Sequence, residues 1–160
     1  MSHSSKNYRH SHRHSHRGVH AADDTPNESK VRTLCASGYQ EYDAQRYPEA
    51  LRLFYQAWLE LPKPQSSWPE STWVLSSIGD CYFRLQQFEQ GCKSLTSALH
   101  CPAGQQSPFI HLRLGQCQHE LKQPLLACKH LRKAYDIAGS NIFNGLDQKY
   151  HRAAKLNRYE

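Results

Sequence analysis

From Val31 onward, apolar residues recur every three or four positions, the period of a helix with one face turned to a core. Leu34, Gly38 and Tyr42 share one face of a first segment, and Ala50, Leu51, Phe54, Ala57, Trp58 and Leu61 share one face of a second. Between them Tyr47-Pro48-Glu49 breaks and restarts the helix, since a first-turn proline gives up only an N–H that has no partner there. Pro62 and Pro64 end the second segment, and residues 63–70 read as a loop. The pattern then predicts helices over 72–85 and 88–100, joined by Gln86-Gln87, with Ser71 as the N-cap of the first. A third pair runs over 107–121, opened by Ser107-Pro108, and from Pro124 to Gly139. Residues 142–159 follow as a last helix, with Phe143, Leu146, Tyr150 and Ala154 in one stripe and Lys149, Arg152, Lys155 and Arg158 between them.

The middle and last pairs are copies. Residues 71–103 superpose on 107–139 under a shift of 36 residues, which places Gly79 on Gly115, Cys81 on Cys117, Cys92 on Cys128, Leu95 on Leu131 and Ala98 on Ala134. A period of roughly 20–50 residues is that of a stacked repeat array, in which each helix pair buries its face against the next. The expected fold is therefore all-α, an α-solenoid of three helix-turn-helix repeats at 31–64, 71–103 and 107–139. A C-terminal capping helix over 141–160 would cover the last stacking surface with its apolar stripe and turn its basic face outward.

Composition narrows the possibilities. The 160 residues, 38% of them hydrophobic, hold one modest domain. No apolar run approaches the roughly 18–20 residues of a membrane span, and the N-terminus lacks the apolar stretch of a signal peptide. The chain accordingly reads as cytoplasmic, without a membrane partner. Residues 1–30 carry hardly any large apolar side chain and are expected to be a disordered tail. Through Lys6, Arg9, Arg13 and Arg17, residues 1–20 supply +4 of the net charge of +6, leaving +2 for the rest, so nucleic acid is a poor candidate partner. His10, His12, His14 and His16 alternate with Ser or Arg and could hold a soft divalent metal, but nothing fixes their geometry and no cofactor is expected. Metal or nucleic-acid association through this tail stays an alternative function. The six cysteines follow the repeat and contain no Cys-x-x-Cys pair, which favours small buried hydrophobes over zinc ligands.

The helix pairs resemble the tetratricopeptide repeat, a unit of about 34 residues reading W-x2-L-G-x2-Y, then A-x3-F, then P. The first unit matches at Gly38, Ala50-x3-Phe54, Ala57 and Pro62, with Tyr42 displaced. The second matches at Leu75-x2-Ile78-Gly79-x2-Tyr82, Gly91-x3-Leu95, Ala98 and Pro102. The third keeps Leu114-Gly115, Ala127-x3-Leu131 and Ala134, with Gln118 in place of the aromatic and Gly139 in place of the proline. The glycines are 41 and 36 residues apart, and the excess over the usual period falls in the proline-containing loops.

The resemblance implies a superhelix whose concave face, lined by the first helix of each pair, holds a protein or peptide partner. Its groove positions fall here on Cys35, Tyr39 and Tyr42, then Trp73, Ser76, Ser77, Asp80, Phe83 and Arg84, then Phe109, Leu112, Arg113, Gln116, His119 and Glu120. Aromatics and arginine dominate interface energies, but at helical spacing the same rings also serve as core. One subclass grips a C-terminal carboxylate with two lysines, two asparagines and an arginine. The matching positions here hold Cys35, Tyr39, Ser77, Phe109 and Arg113, so only the arginine survives. A lone cation supplies little affinity in water, and the groove is expected to favour an extended or helical apolar segment instead.

No catalytic motif competes with this reading. His119-Glu120 lacks the second histidine of a metalloprotease helix, and no phosphate loop or nucleophile elbow occurs. Cys128 and His130 are two apart on one helix, where side chains diverge. The expected function is a non-enzymatic scaffold, adaptor or chaperone-like module, of undetermined oligomeric state. Two alternatives rest on resemblance: three-repeat secretion chaperones, and short bacterial repeat proteins, among them toxin-immunity proteins, whose ending Asn141-Ile142-Phe143 with Asp147-Gln148-Lys149-Tyr150 looks similar.

Overall fold

A computed structural model describes residues 26–155, with side chains from residue 29 onward. Helices α1 (Pro26–Asp43) and α2 (Tyr47–Glu60) form the first antiparallel pair, α3 (Pro69–Arg84) and α4 (Phe88–Leu99) the second, and α5 (Pro108–Glu120) and α6 (Pro124–Ala138) the third. Short 3₁₀ turns at Gln65–Ser67, Gly104–Gln106 and Ser140–Phe143 link these to one another and to α7 (Gln148–Ala153). The second helix of each pair packs on the first of the next, and α7 packs on α6 and α5. The described residues form an all-α solenoid without strands.

Each pair is fastened by the same contact. The glycine in the first helix faces a large side chain 16 residues later in the second: Gly38 faces Phe54, Gly79 faces Leu95 and Gly115 faces Leu131. A Cβ at any of these glycines would lie within 2.4–2.8 Å of a ring or branch carbon, so glycine is what permits the approach. Phe54, Leu95 and Leu131 are fully buried, each worth roughly 1.5–3 kcal/mol relative to exposure. Ala57, Ala98 and Ala134 recur, also fully buried, one turn further along.

The turns within the pairs repeat as well. Gln45, Gln86 and Lys122 adopt φ values of 61°, 58° and 60°, the left-handed geometry that ends a helix. The next amide then reaches back five residues, with Arg46 N–H to Glu41 O, Gln87 N–H to Tyr82 O and Gln123 N–H to Gln118 O each at 2.9 Å. Carbonyls that the helix end leaves orphaned are satisfied in the same way three times.

Three elements differ from the sequence reading. Helix α1 already includes residues 26–30, the first that are described, which were expected in the tail. Helix α3 starts at Pro69 rather than residue 72, and Ser71 lies within it, its hydroxyl donating to the Gln65 carbonyl instead of capping the helix. The C-terminal segment is not one continuous helix: a 3₁₀ turn ends at Phe143, Gly145 takes φ 74°, and Asp147 starts α7 by accepting from Lys149 N–H at 2.9 Å. A local cap and a left-handed glycine override the periodicity there. The apolar stripe still packs, with Phe143, Tyr150 and Ala154 in one cluster with Leu131 and Ala134. Ser107 caps α5 as its position predicts, accepting from Ile110 N–H at 3.3 Å.

Candidate binding groove

Helices α1, α3 and α5 together line a concavity of about 480 Å³. Helices α3 and α5 are each flanked by a second helix on both sides, and nine successive residues of α5, from Ile110 to Gln118, are buried. Polar groove positions on α5 are therefore drawn into the interior, where they need partners.

Of the sequence-derived groove residues, Tyr39, Tyr42, Trp73, Asp80 and Phe109 line the concavity, as do Ser76 and Ser77. Tyr42 is otherwise a core residue, and Tyr39 and Phe83 pack against the same core. Trp73 and Phe109 are half-buried and belong to neither core cluster. The Tyr39 and Ser77 hydroxyls are hydrogen-bonded at 3.0 Å, tying α1 to α3. Cys35 is buried, and burial, with Glu70 adding to it, pushes its thiol up to about 12.

The remaining groove positions do not reach the concavity. Phe83 packs against Phe88 and lies 4.3 Å from the Arg113 guanidinium. Arg84 donates to the Tyr42 hydroxyl at 2.8 Å; burial opposes its charge, but Tyr42 and Asp80 outweigh that and hold its pKa above the usual value. Arg113 is 6% exposed, with Nε 2.9 Å from Asp80 Oδ1, and Gln116, 1% exposed, accepts from Arg113 Nη1 at 2.9 Å. The Asp80–Arg113 contact lacks the alignment of a hydrogen bond and acts as an ion pair.

At the C-terminal end, α7 takes up His119 and Glu120. The His119 ring meets Tyr150 edge-on at 5.5 Å, and Glu120 accepts from the Tyr150 hydroxyl and pairs with Lys149, both at 2.6 Å. Burial alone would raise the Glu120 carboxyl, yet the bonds from Lys149 and Tyr150 outweigh it and lower its pKa. Leu112 joins the core under α7.

One wall of the concavity comes from residues that first-helix positions do not reveal. Pro102, Ala103, Gln106 and Ser107 belong to the connection between α4 and α5, and Pro108 opens α5. Thr72 Oγ1 pins that connection by donating to the Pro102 carbonyl at 2.6 Å, and Gly104 sits where a Cβ would lie 2.1 Å from the Ala98 carbonyl oxygen. The sequence signal for a fixed connection was the cluster Pro102-Ala103-Gly104, two residues before the α5 cap.

Cys128 and His130 face different partners. The Cys128 thiol donates to the Ala154 carbonyl at 4.0 Å, while His130 meets His111, Nδ1 to Nδ1, at 3.0 Å. His10, His12, His14 and His16 lie outside the described residues.

No protein-family model matches the chain, and none of the curated protein sequences does. Solved structures do match. The chain is similar to the Arabidopsis OM64 TPR domain, with TM-score 0.65 and 15% identity over 81% of this chain and 94% of that one. It is similar to the first TPR of Spaghetti (RPAP3) bound to the HSP90 peptide SRMEEVD, with TM-score 0.63 and 19% identity over 79% and 96% of the two chains. A third likeness is to the Yersinia enterocolitica type III secretion chaperone SycD in complex with a peptide of the translocator YopD, with TM-score 0.63 and 13% identity over 79% and 91%. The fold is that of a tetratricopeptide-repeat domain.

Proposed function

We propose that this chain is a protein-interaction module, a scaffold, adaptor or chaperone-like protein that seats a peptide or protein segment in the concavity between α1, α3 and α5. The observation that carries this reading is the placement of Trp73 and Phe109, large rings that line the concavity and lie outside both packed clusters. Aromatic anchors of this kind contribute about 2 kcal/mol or more each when a partner covers them. Two proteins of the same fold hold peptides in their solved structures, which supports the reading. Binding rather than catalysis is favoured because, among the described residues, the lining contains one carboxylate and no histidine, cysteine or lysine. The six cysteines are all free thiols, which fits a reducing cytoplasm. Among the described residues no helix is long and apolar enough to cross a membrane.

A photo-crosslinking amino acid at position 109, compared with one at Leu125, tests the site. Leu125 is 74% exposed on α6 and does not line the concavity. Crosslinking to one protein species from an extract of the source cells at position 109, and not at 125, is expected; the reverse pattern would overturn the assignment.

A further inference from the structure

Among the described residues, Asp80 is the sole carboxylate lining the concavity, and no lining side chain carries a positive charge. Behind it, Arg113 is held from several sides at once. Its Nε touches Asp80 Oδ1 at 2.9 Å, its Nη1 donates to Gln116, and its guanidinium lies 4.3 Å from the Phe83 ring centre and 5.5 Å from that of Phe109. Both members of the ion pair are more than nine-tenths buried. A buried charge without its counter-charge is costly, so the two persist as a neutral unit.

Two serine hydroxyls on this face are also occupied. Ser77 is engaged with Tyr39, and Ser76 Oγ donates to the Trp73 carbonyl within its own helix. What faces a ligand is a largely apolar wall with acceptor oxygens and the Gln106 amide, in which the Asp80 charge is matched by Arg113 paired to it and by the field of Arg84, both outside the lining. An incoming carboxylate would meet Asp80, a like charge, and would find Arg113 already paired. An ammonium group would be drawn to Asp80 but opposed by Arg113 behind it, and would lose its hydration on entry. An uncharged apolar stretch with backbone N–H donors meets neither penalty.

We infer that Asp80 is the specificity-determining residue of this groove: by holding Arg113 it neutralises the floor, so that the groove takes an uncharged apolar segment from within a polypeptide and turns away a carboxylate. This rests on the reading of the concavity as a peptide groove. Specificity here comes from an internal charge that takes the place a ligand's charge would occupy.

The test is fluorescence anisotropy on the full chain with three labelled probes. These are acetyl-Gly-Leu-Phe-Gly-Leu with a C-terminal amide, the same peptide with a free carboxylate, and the amide with lysine replacing phenylalanine. The unaltered chain is expected to bind the neutral amide at least about tenfold more tightly than either charged form, a difference of about 1.4 kcal/mol. Asp80→Asn should unmask Arg113 and bring the free-carboxylate peptide level with the amide or above it. The double variant D80L/R113M removes both charges and should keep the preference for the amide, which makes it decisive if circular dichroism shows that Asp80→Asn does not fold. A preference of the unaltered chain for carboxylate or lysine would overturn the role of Asp80 alone. So would a folded Asp80→Asn chain with unchanged preference, or a double variant that loses the amide peptide by tenfold. Failure of all three probes on every chain would overturn the groove reading and this inference with it.

Discussion

A Cβ on Gly79 would lie 2.4 Å from the Leu95 Cγ, inside any distance at which two carbons coexist. That contact joins α3 to α4, and its equivalents join α1 to α2 and α5 to α6, so the solenoid rests on three copies of one close approach.

Gly79→Ala should therefore destabilise the chain although alanine is the better helix former. Forcing a methyl into a packed core costs about 1–3 kcal/mol, and the helix-propensity gain of about 1 kcal/mol offsets only part of it. Urea unfolding should show a lowered midpoint, and Gly79→Ala combined with Leu95→Ala should be less destabilised than the two single effects added. An unchanged or raised midpoint for Gly79→Ala would mean that Leu95 moves aside at no cost.

The helices and their pairing were legible because glycine, alanine and the large apolar residue recur at fixed offsets, and close packing leaves such positions few alternatives. The helix start at Pro69 and the break at Gly145 were not, since a proline N-terminus and a left-handed glycine act locally against a periodic signal. Of the concavity's lining, Trp73 and Phe109 stand at positions that the resemblance to the tetratricopeptide repeat implies. The inward turn of Arg113 and Gln116 could not be foreseen, because it depends on Asp80 being there to receive Arg113. Nor could the engagement of His119 and Glu120, since the partners that claim them, Tyr150 and Lys149, come from a segment outside the repeat.

Between α5 and α6, His111 and His130 make the fold sensitive to acid. His111 Nε2 lies 2.9 Å from the Gln105 carbonyl and must carry a proton to bond it, which leaves His111 Nδ1 as acceptor for His130 Nδ1–H. A second proton would set two N–H groups against each other. Burial first, then His111 and Lys129, hold His130 down from 6.5 to about 4; burial, with Lys133 and Lys129, outweighs the Gln105 bond and lowers His111. Because the folded pKa values lie below the unfolded ones, the unfolded chain binds more protons in between. The contribution of the pair to stability is complete above about pH 6.5 and is lost as pH falls toward 4. Urea midpoints measured from pH 7.5 to 4.5 should fall less steeply for His130→Gln than for the unaltered chain, and equal slopes would contradict this account.

Under the proposed function the concave rings of Trp73 and Phe109 serve a partner and not the core, and paired alanine substitution separates these two roles. Trp73→Ala together with Phe109→Ala should leave the helical circular dichroism intact and cut capture of the partner by more than about tenfold, as expected when two central anchors are removed. Collapse of the helical signal, or full retention of the partner, would contradict it.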